Sequence, residues 1–481
     1  MSTIIGRKSE IQELERHYQS DRSEFIAVYG RRRVGKTFLI KQTFKGRITF
    51  QHTGVSPVDQ EDEKNRMKTQ LESFYYSLLN HGLEGYKKPK TWMEAFFQLE
   101  QLLIRIDDGS RQVVFIDELP WMDTPKSGFL PAFENFANGW CSGRDNMMLI
   151  VCGSATSWIL KNLSYNHGGL YGRLTYEIKL LPFNLHECEA FLKSREVPFS
   201  RYEITQSYMV FGGIPCYLEY IDSTRSLGQN MDRLLFARGG VLREEYDRLF
   251  DAVFANPEAV KTIVELLHTR NAGYTRKEIT EKLDVTDGGT LSKNLNALIA
   301  SDFVIKYAPF GYSKREEHYK LIDPFCLSYL TFVKDQGVNQ ETFWRHNMAS
   351  QQAEDWGDTA FENVCFAHIN QIKRALGIAG VITSTSAWSK KEDDEEGRRI
   401  DLLIHRNDKV INMCEIKFRG EDVEVDQNYY RVLLSRPERI MERVSPKISI
   451  CSTLITTFGL KHNEYSGGFT YVVTLNDLFE R

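Results

Sequence analysis

Apolar and polar positions in the first part of the chain follow two rhythms. Phe25-Ile26-Ala27-Val28-Tyr29, Val113-Val114-Phe115-Ile116 and Met148-Leu149-Ile150-Val151 are short unbroken apolar runs, and amphipathic helical stretches separate them. Such runs read as strands, and their alternation with amphipathic helical stretches predicts an α/β sheet. Each run ends in a polar or glycine-rich turn, where open α/β sheets place their ligands. From Leu185 to about Asp251 the pattern is helical, interrupted at Gly212-Gly213-Ile214-Pro215. From about Asn256 to Leu321 it reads as three helices and a pair of strands. After a helical connector, the last region opens with a helix near Trp356 and continues with strand-like runs around Ile400–Ile404 and Val410–Phe418. These changes divide the chain at about residues 183, 252 and 335. Its 481 residues are in any case too many for one compact core.

Two of the strand ends carry chemistry. Gly30-Arg31-Arg32-Arg33-Val34-Gly35-Lys36-Thr37 fits GxxxxGK[ST], following a strand and opening a helix. The glycines Gly30 and Gly35, with Arg33 and Val34 between them, let backbone N–H groups wrap a β-phosphate at a helix N-terminus. Lys36 then reaches the β- and γ-phosphates, and the Thr37 hydroxyl ligates Mg²⁺. The second strand ends in Asp117-Glu118. There Asp117 is expected to hold Mg²⁺ through water and Glu118 to polarise the attacking water. ATP and Mg²⁺ are therefore the expected ligands.

With these motifs in place, the chain resembles the AAA+/STAND-type archaeal and bacterial ATPases. Ile5-Gly6-Arg7-Lys8-Ser9-Glu10 is similar to the entry helix that lies beside adenine in that family. Cys152-Gly153-Ser154-Ala155-Thr156 stands where the family carries its sensor 1 residue, with Ser154 or Thr156 as the candidate. Gly172-Arg173-Leu174 with Leu181-Pro182-Phe183 resembles the "GR…L.PF" segment. The resemblance implies that Arg173 senses the γ-phosphate, in cis or across a subunit contact in a homo-oligomer. Gly212-Gly213-Ile214-Pro215 resembles the "GGIP" of the helical lid.

Charge changes the picture in one respect. The net charge is −4, so any nucleic-acid contact comes from a local patch and not from bulk charge. The eight cysteines are scattered and form no CxxC pair, as expected of free thiols in a reducing cytoplasm. No apolar run is long enough to span a bilayer and the N-terminus has no signal-peptide core, so a cytoplasmic protein without membrane contact is expected.

In the middle region Thr275 is a predicted N-cap with Glu278 three residues on. Thr290–Leu298 reads as a helix with Leu291, Leu295 and Leu298 on one face. Phe303–Tyr307 and His318–Leu321 read as a strand pair. The pattern resembles a winged helix-turn-helix, whose second helix enters the major groove and whose wing touches the DNA backbone. Ser292, Lys293 and Asn296 are then the outward residues, with Lys314 and Arg315 at the wing tip. The alternative is a winged helix that packs on the ATPase core. A single cation, Lys293, on the recognition helix is thin for phosphate binding.

In the last region Asp401 lies near the start of one strand and Glu415-Ile416-Lys417 ends the next. Residues two apart on a strand share a face, so Glu415 and Lys417 point the same way, and antiparallel pairing brings Asp401 beside them. This order is the pattern of PD-(D/E)xK nucleases. The resemblance implies that Asp401 and Glu415 bind Mg²⁺, that Lys417 orients or activates the hydrolytic water, and that Glu362 is the helical acid; Gln427 is a weaker match. The acidic stretch within Lys390–Arg399 reads as a solvated loop.

The expected architecture is an α/β multidomain chain. A P-loop NTPase (AAA+-like) core occupies 1–183, a helical lid 184–252, a winged helix-turn-helix 253–335, and an α/β restriction-endonuclease-like domain 336–481. The expected function is an ATP-regulated, Mg²⁺-dependent DNA nuclease in defence or repair. The alternatives are a STAND-like ATP switch whose last domains bind nucleic acid or partners without cleavage, and a transcription regulator.

Overall fold

The computed structural model describes residues 4–56, 65–164, 169–170, 172–254, 256–308, 316–335, 341–388, 400–441 and 447–481. The chain forms two compact units. The first comprises Met1–Pro182 and Asp247–Pro257, and the second Phe183–Tyr246 and Glu258–Arg481.

The first unit is built on strands β1 (Glu24–Tyr29), β2 (Ile48–Thr53), β3 (Gln112–Asp117), β4 (Met147–Gly153) and β5 (Tyr176–Lys179). Their order is β2-β3-β4-β1-β5, and every pairing is parallel. β1, β3 and β4 are buried along their whole length, which is why they read as unbroken apolar runs. Tyr29 is level with Gly153 and Ile116 with Val151, so the three central strands end side by side. One face is packed by an aromatic cluster that includes Phe74, Trp92, Phe96, Phe129, Phe133 and Phe136. The helix Trp92–Arg105 supplies Trp92, Phe96, Leu99 and Leu103 from one face, and the Thr91 hydroxyl caps it by accepting from Glu94 N–H.

The second unit contains a small antiparallel sheet and a larger mixed one. The small sheet has β6 (Tyr274–Thr275), β7 (Val304–Tyr307) and β8 (His318–Leu321) in the order β6-β8-β7. Three helices accompany it: Pro257–His268, Arg276–Leu283 and Gly289–Ala300. Thr275 and Glu278 form a capping box, and Leu291, Leu295 and Leu298 are buried. The larger sheet has β9 (Thr383–Trp388), β10 (Ile400–Arg406), β11 (Val410–Lys417), β12 (Ser449–Thr456) and β13 (Tyr471–Thr474). They run in the order β13-β12-β11-β10-β9; β9, β10 and β11 pair antiparallel, and β11, β12 and β13 parallel. The helix Gln351–Ala367 packs on β11 and the helix Gln427–Met441 follows it in the chain.

Close approach explains one glycine motif. Gly213 has φ 66°, and a Cβ there would stand 2.1 Å from the Phe183 carbonyl oxygen. Among the described residues no helix is long and apolar enough to cross a membrane.

Candidate functional site

The loop after β1 wraps the end of its own lysine. Gly30 has φ 142°, and a Cβ there would lie 2.3 Å from the Leu180 carbonyl oxygen, so only glycine fits. Arg33 and Gly35 also take left-handed backbone, with φ 69° and 93°, and this turns the chain into the helix Lys36–Thr43. Val34 is buried beneath the loop. Lys36 is buried, and its Nζ donates to the carbonyls of Gly30 and Arg31, both at 2.9 Å, and to Ser154 Oγ at 3.1 Å. Burial pushes the Lys36 ammonium below its ordinary pKa, against the pull of the Glu118 and Asp117 charges. Arg7 donates to the Leu181 carbonyl at 2.6 Å, which ties the entry helix to the segment after β5.

The acids at the end of β3 meet this loop. Thr37 Oγ1 donates to Asp117 Oδ2 at 2.7 Å. Glu118 has left-handed backbone, φ 48°, and its carboxylate accepts from Ser154 N–H at 3.0 Å and Ser154 Oγ at 2.6 Å. Ser154 thus links Lys36 to Glu118. Thr156, the other sensor candidate, is buried at the start of the next helix. Burial raises the Asp117 pKa; the Thr37 hydrogen bond opposes the rise and the Glu118 charge adds to it. A hydroxyl and a carboxylate this close are hard oxygen donors, and a carboxylate whose charge is costly to keep buried gains from a dication, so Thr37 and Asp117 fit Mg²⁺.

Arg173 is not brought to this site. It is exposed on the turn entering β5, which begins level with Ile26, at the opposite end of the paired strands from the P-loop that follows Tyr29. An in-cis contact with a γ-phosphate is therefore corrected: the parallel pairing of β5 with β1 puts the arginine at the wrong end of the strand.

The second cluster lies between β10 and β11. Leu402 faces Cys414, and Ile416 N–H donates to Asp401 Oδ2 at 2.9 Å, so Asp401 sits beside Glu415 and Lys417. Glu415 is buried and its carboxylate is fully engaged. It pairs with Lys417 Nζ at 3.2 Å, accepts from Tyr429 Oη at 3.0 Å, and forms an ion pair with Arg436. Burial works to raise its pKa, but the Arg436 and Lys417 charges win and hold it below the ordinary carboxylate value. An open cleft of about 530 Å³ starts at Lys417 and Tyr429 and also carries Arg419, Lys461 and the acids Glu421, Asp422 and Glu424. Gln427 is exposed in the first turn of its helix.

Glu362 does not join Asp401 and Glu415 in this hydrogen-bonded cluster. It is buried, with Oε1 on Lys320 Nζ at 2.5 Å and Oε2 accepting from Asn271 Nδ2 at 2.9 Å. The expected helical acid is thus held by the small sheet and its preceding turn. As folded, the C-terminal acids do not fit a divalent cation. Glu415 already has two cations on it, and among the described residues no group of three His, Cys, Asp or Glu side chains is arranged to hold a metal.

Of the expected DNA-facing residues, Lys293 and Asn296 are exposed. Ser292 is not outward: its hydroxyl accepts from Arg276 Nη2 at 3.0 Å and is 3.2 Å from the Gly288 carbonyl. Lys314 and Arg315 lie outside the described residues, as does the acidic loop 390–399. The pattern of residues did not single out Arg436, Tyr429, Lys320 or Asn271. For Tyr429 and Arg436 a weak signal existed, a helix following the Glu415-x-Lys417 strand; for Lys320 and Asn271 there was none.

Residues 4–221 match the model of an ATPase domain found predominantly in Archaea. An uncharacterized protein of Methanocaldococcus jannaschii is 24% identical over 431 residues, covering 89% of this chain and 90% of its own length. An uncharacterized ATP-binding protein of the same archaeon is 49% identical over 39 residues, 8% of this chain and 66% of that protein. Among solved structures, a Walker-type ATPase of Pyrococcus abyssi aligns with a TM-score of 0.46 at 17% identity, covering 68% of this chain and 96% of that one. The match supports a nucleotide-binding ATPase domain over residues 4–221.

Proposed function

We propose that the chain binds ATP with Mg²⁺ in its first unit, hydrolyses it, and uses the nucleotide state to control a DNA-directed site in its second unit. One observation carries the ATPase reading: Lys36, Thr37, Asp117, Glu118 and Ser154 are hydrogen-bonded to one another at the adjacent ends of β1, β3 and β4. The Gly30–Gly35 loop and the helix it opens offer backbone N–H groups to phosphates. Lys36 exchanges its carbonyl partners for phosphate oxygens. Glu118, released from Ser154, orients a water for attack. Bound at Thr37 and Asp117, Mg²⁺ supplies charge neutralisation of the phosphates. Exposed Arg173 is available to a neighbouring copy in a homo-oligomer.

For the second unit we propose a winged helix-turn-helix, formed by the small sheet and its helices, and a PD-(D/E)xK-like domain acting on DNA. The support is the juxtaposition of Asp401 with Glu415 and Lys417 on antiparallel strands beside an open cleft. Exposed Lys293 and Asn296 are the residues through which the second helix would meet DNA. A second reading, an ATP switch that binds DNA without cutting it, is favoured by the ion pairing of Glu415 with Arg436.

The test incubates the full chain with plasmid, linear and single-stranded DNA and Mg²⁺ or Mn²⁺, with and without ATP, beside Lys36→Ala and Asp401→Ala. Cleavage lost in Asp401→Ala and altered in Lys36→Ala supports the nuclease reading. ATP hydrolysis without cleavage under any condition selects the switch. Loss of ATP hydrolysis in neither variant sinks the P-loop assignment.

A further inference from the structure

The P-loop carries a further cation. Arg32 lies in the middle of the Gly30–Gly35 loop, half-buried, and forms no ion pair among the described residues. Its Nη1 donates instead to a neutral acceptor, the main-chain carbonyl of Arg248, at 3.1 Å. The Lys36 ammonium feels this charge: burial lowers the Lys36 pKa, and Arg32 adds to the fall. Two cations that repel each other in a phosphate-binding loop are both relieved by an anion.

Arg248 belongs to the helix Glu245–Val253, which from Asp247 onward lies in the first unit with the P-loop. A second donor reaches the same helix: Trp121 Nε1 donates to the Ala252 carbonyl at 3.4 Å. Carbonyls four residues apart lie on one face of a helix, about 6 Å from each other. The Arg32 guanidinium and the Trp121 indole therefore meet that face about one turn apart. Trp121 is tied in turn to the acid at the end of β3, since its main-chain N–H donates to the Glu118 carbonyl at 3.0 Å. Arg32 thus reaches to the Glu118 side of the loop, where the γ-phosphate and the attacking water belong. A guanidinium gains more from phosphate oxygens, which are charged and match its fork, than from a neutral carbonyl.

We propose that Arg32 is a γ-phosphate ligand, and that on ATP binding it exchanges the Arg248 carbonyl for the phosphate and lets go of the helix Glu245–Val253. The proposal rests on the ATP reading of the first unit and adds how ATP is told from ADP there. ADP has no γ-phosphate, so it leaves the bond from Arg32 to the carbonyl in place. The chain passes from the second unit to the first inside this helix, after Tyr246, so the segment that ATP loosens is a covalent link between the two.

The test uses the full chain with Mg²⁺, a non-hydrolysable ATP analogue and ADP. Affinity is read by calorimetry, and amide hydrogen exchange over residues 245–254 by mass spectrometry. Arg32→Gln is expected to weaken the ATP analogue about tenfold, the worth of one hydrogen bond to a charged group, and to leave ADP within about twofold. In wild type the ATP analogue is expected to speed exchange in the helix, and ADP to leave it as in the free protein. In Arg32→Gln that exchange is expected to be fast already and to respond to neither nucleotide. Trp121→Phe removes the other donor; it is expected to speed exchange and keep the wild-type ratio of the two affinities, which separates a loosened helix from a lost phosphate contact. Should Arg32→Gln not fold, Arg32→Lys keeps the charge without the fork, and a few-fold loss confined to the ATP analogue is expected. A loss that ADP shares equally, no loss in the folded variants, or helix exchange in wild type that the ATP analogue leaves unmoved overturns the proposal. In each of those cases nucleotide binding that Lys36→Ala weakens leaves the P-loop reading standing. No binding of either nucleotide to wild type removes that reading, and the proposal with it.

Discussion

The P-loop site and the C-terminal site each set a buried acid at the end of a strand, and they treat it in opposite ways. Asp117 is met by a neutral hydroxyl, Thr37, and burial pushes its pKa up. Glu415 is met by two cations and a phenol, and its pKa is pushed down in spite of burial. A buried carboxylate held by a hydroxyl and a backbone N–H, with no cation bonded to it, keeps a demand for positive charge that a dication meets. A carboxylate already paired with arginine and lysine has no such demand. The same residue types, acids at strand ends with a lysine close by, thus leave one carboxylate without a bonded cation and neutralise the other.

The largest expected effect breaks that comparison from the second side. Glu415→Gln takes away the buried carboxylate that Arg436 and Lys417 both pair with, and the unit is expected to lose about 3–5 kcal/mol of stability in urea unfolding at neutral pH. If the loss is below about 1 kcal/mol, the range of exposed pairs, the ion pair does not carry the energetics argued for it. On the first side, Lys36→Ala is expected to lower ATP turnover by about a hundredfold or more, with DNA-independent steady-state hydrolysis as the measurement. Asp117→Asn should behave unlike Glu415→Gln. It removes a charge that burial penalises, so the metal-free protein at neutral pH is expected to hold or slightly gain stability. The same variant is expected to lose the Mg²⁺-dependent rise in ATP affinity.

pH sharpens the contrast with a smaller effect. Glu415, with its folded pKa depressed, contributes stability above its ordinary value of 4.5 and loses it as pH falls through the folded value. Asp117, with its folded pKa raised, contributes stability below its ordinary value of 3.8 and loses it as pH rises through the folded value. The stability gap between wild type and Glu415→Gln is therefore expected to narrow as pH falls below 4.5, where the unfolded chain's glutamate takes a proton before the native one does. A gap that widens in acid would reverse the assigned sign.

Much of the first site was legible because its parts are local. Gly30 to Thr37 is one loop and one helix turn, and its strand was visible as an unbroken apolar run. Ser154 was legible as the polar residue after the next apolar strand, although only the parallel register shows that it bonds both Lys36 and Glu118. The in-cis alternative for Arg173 failed because a motif carries no information on which end of a strand its turn occupies. In the second site the Glu415-x-Lys417 face followed from strand periodicity alone. Arg436 lies 21 residues from Glu415, Lys320 42 from Glu362 and Asn271 91 from it, and no periodicity links such positions.

The order of elements, the phosphate-binding loop, the capping boxes and the strand faces were determined by the sequence itself, since each depends on neighbours within a turn or a pleat. Which charge meets which acid was decided by tertiary structure. An ion pair needs only two tips brought within hydrogen-bond reach, and packing of distant segments chooses them. That choice left Asp117 to a hydroxyl and a backbone N–H, and bound Glu415 and Glu362 to cations of the protein's own.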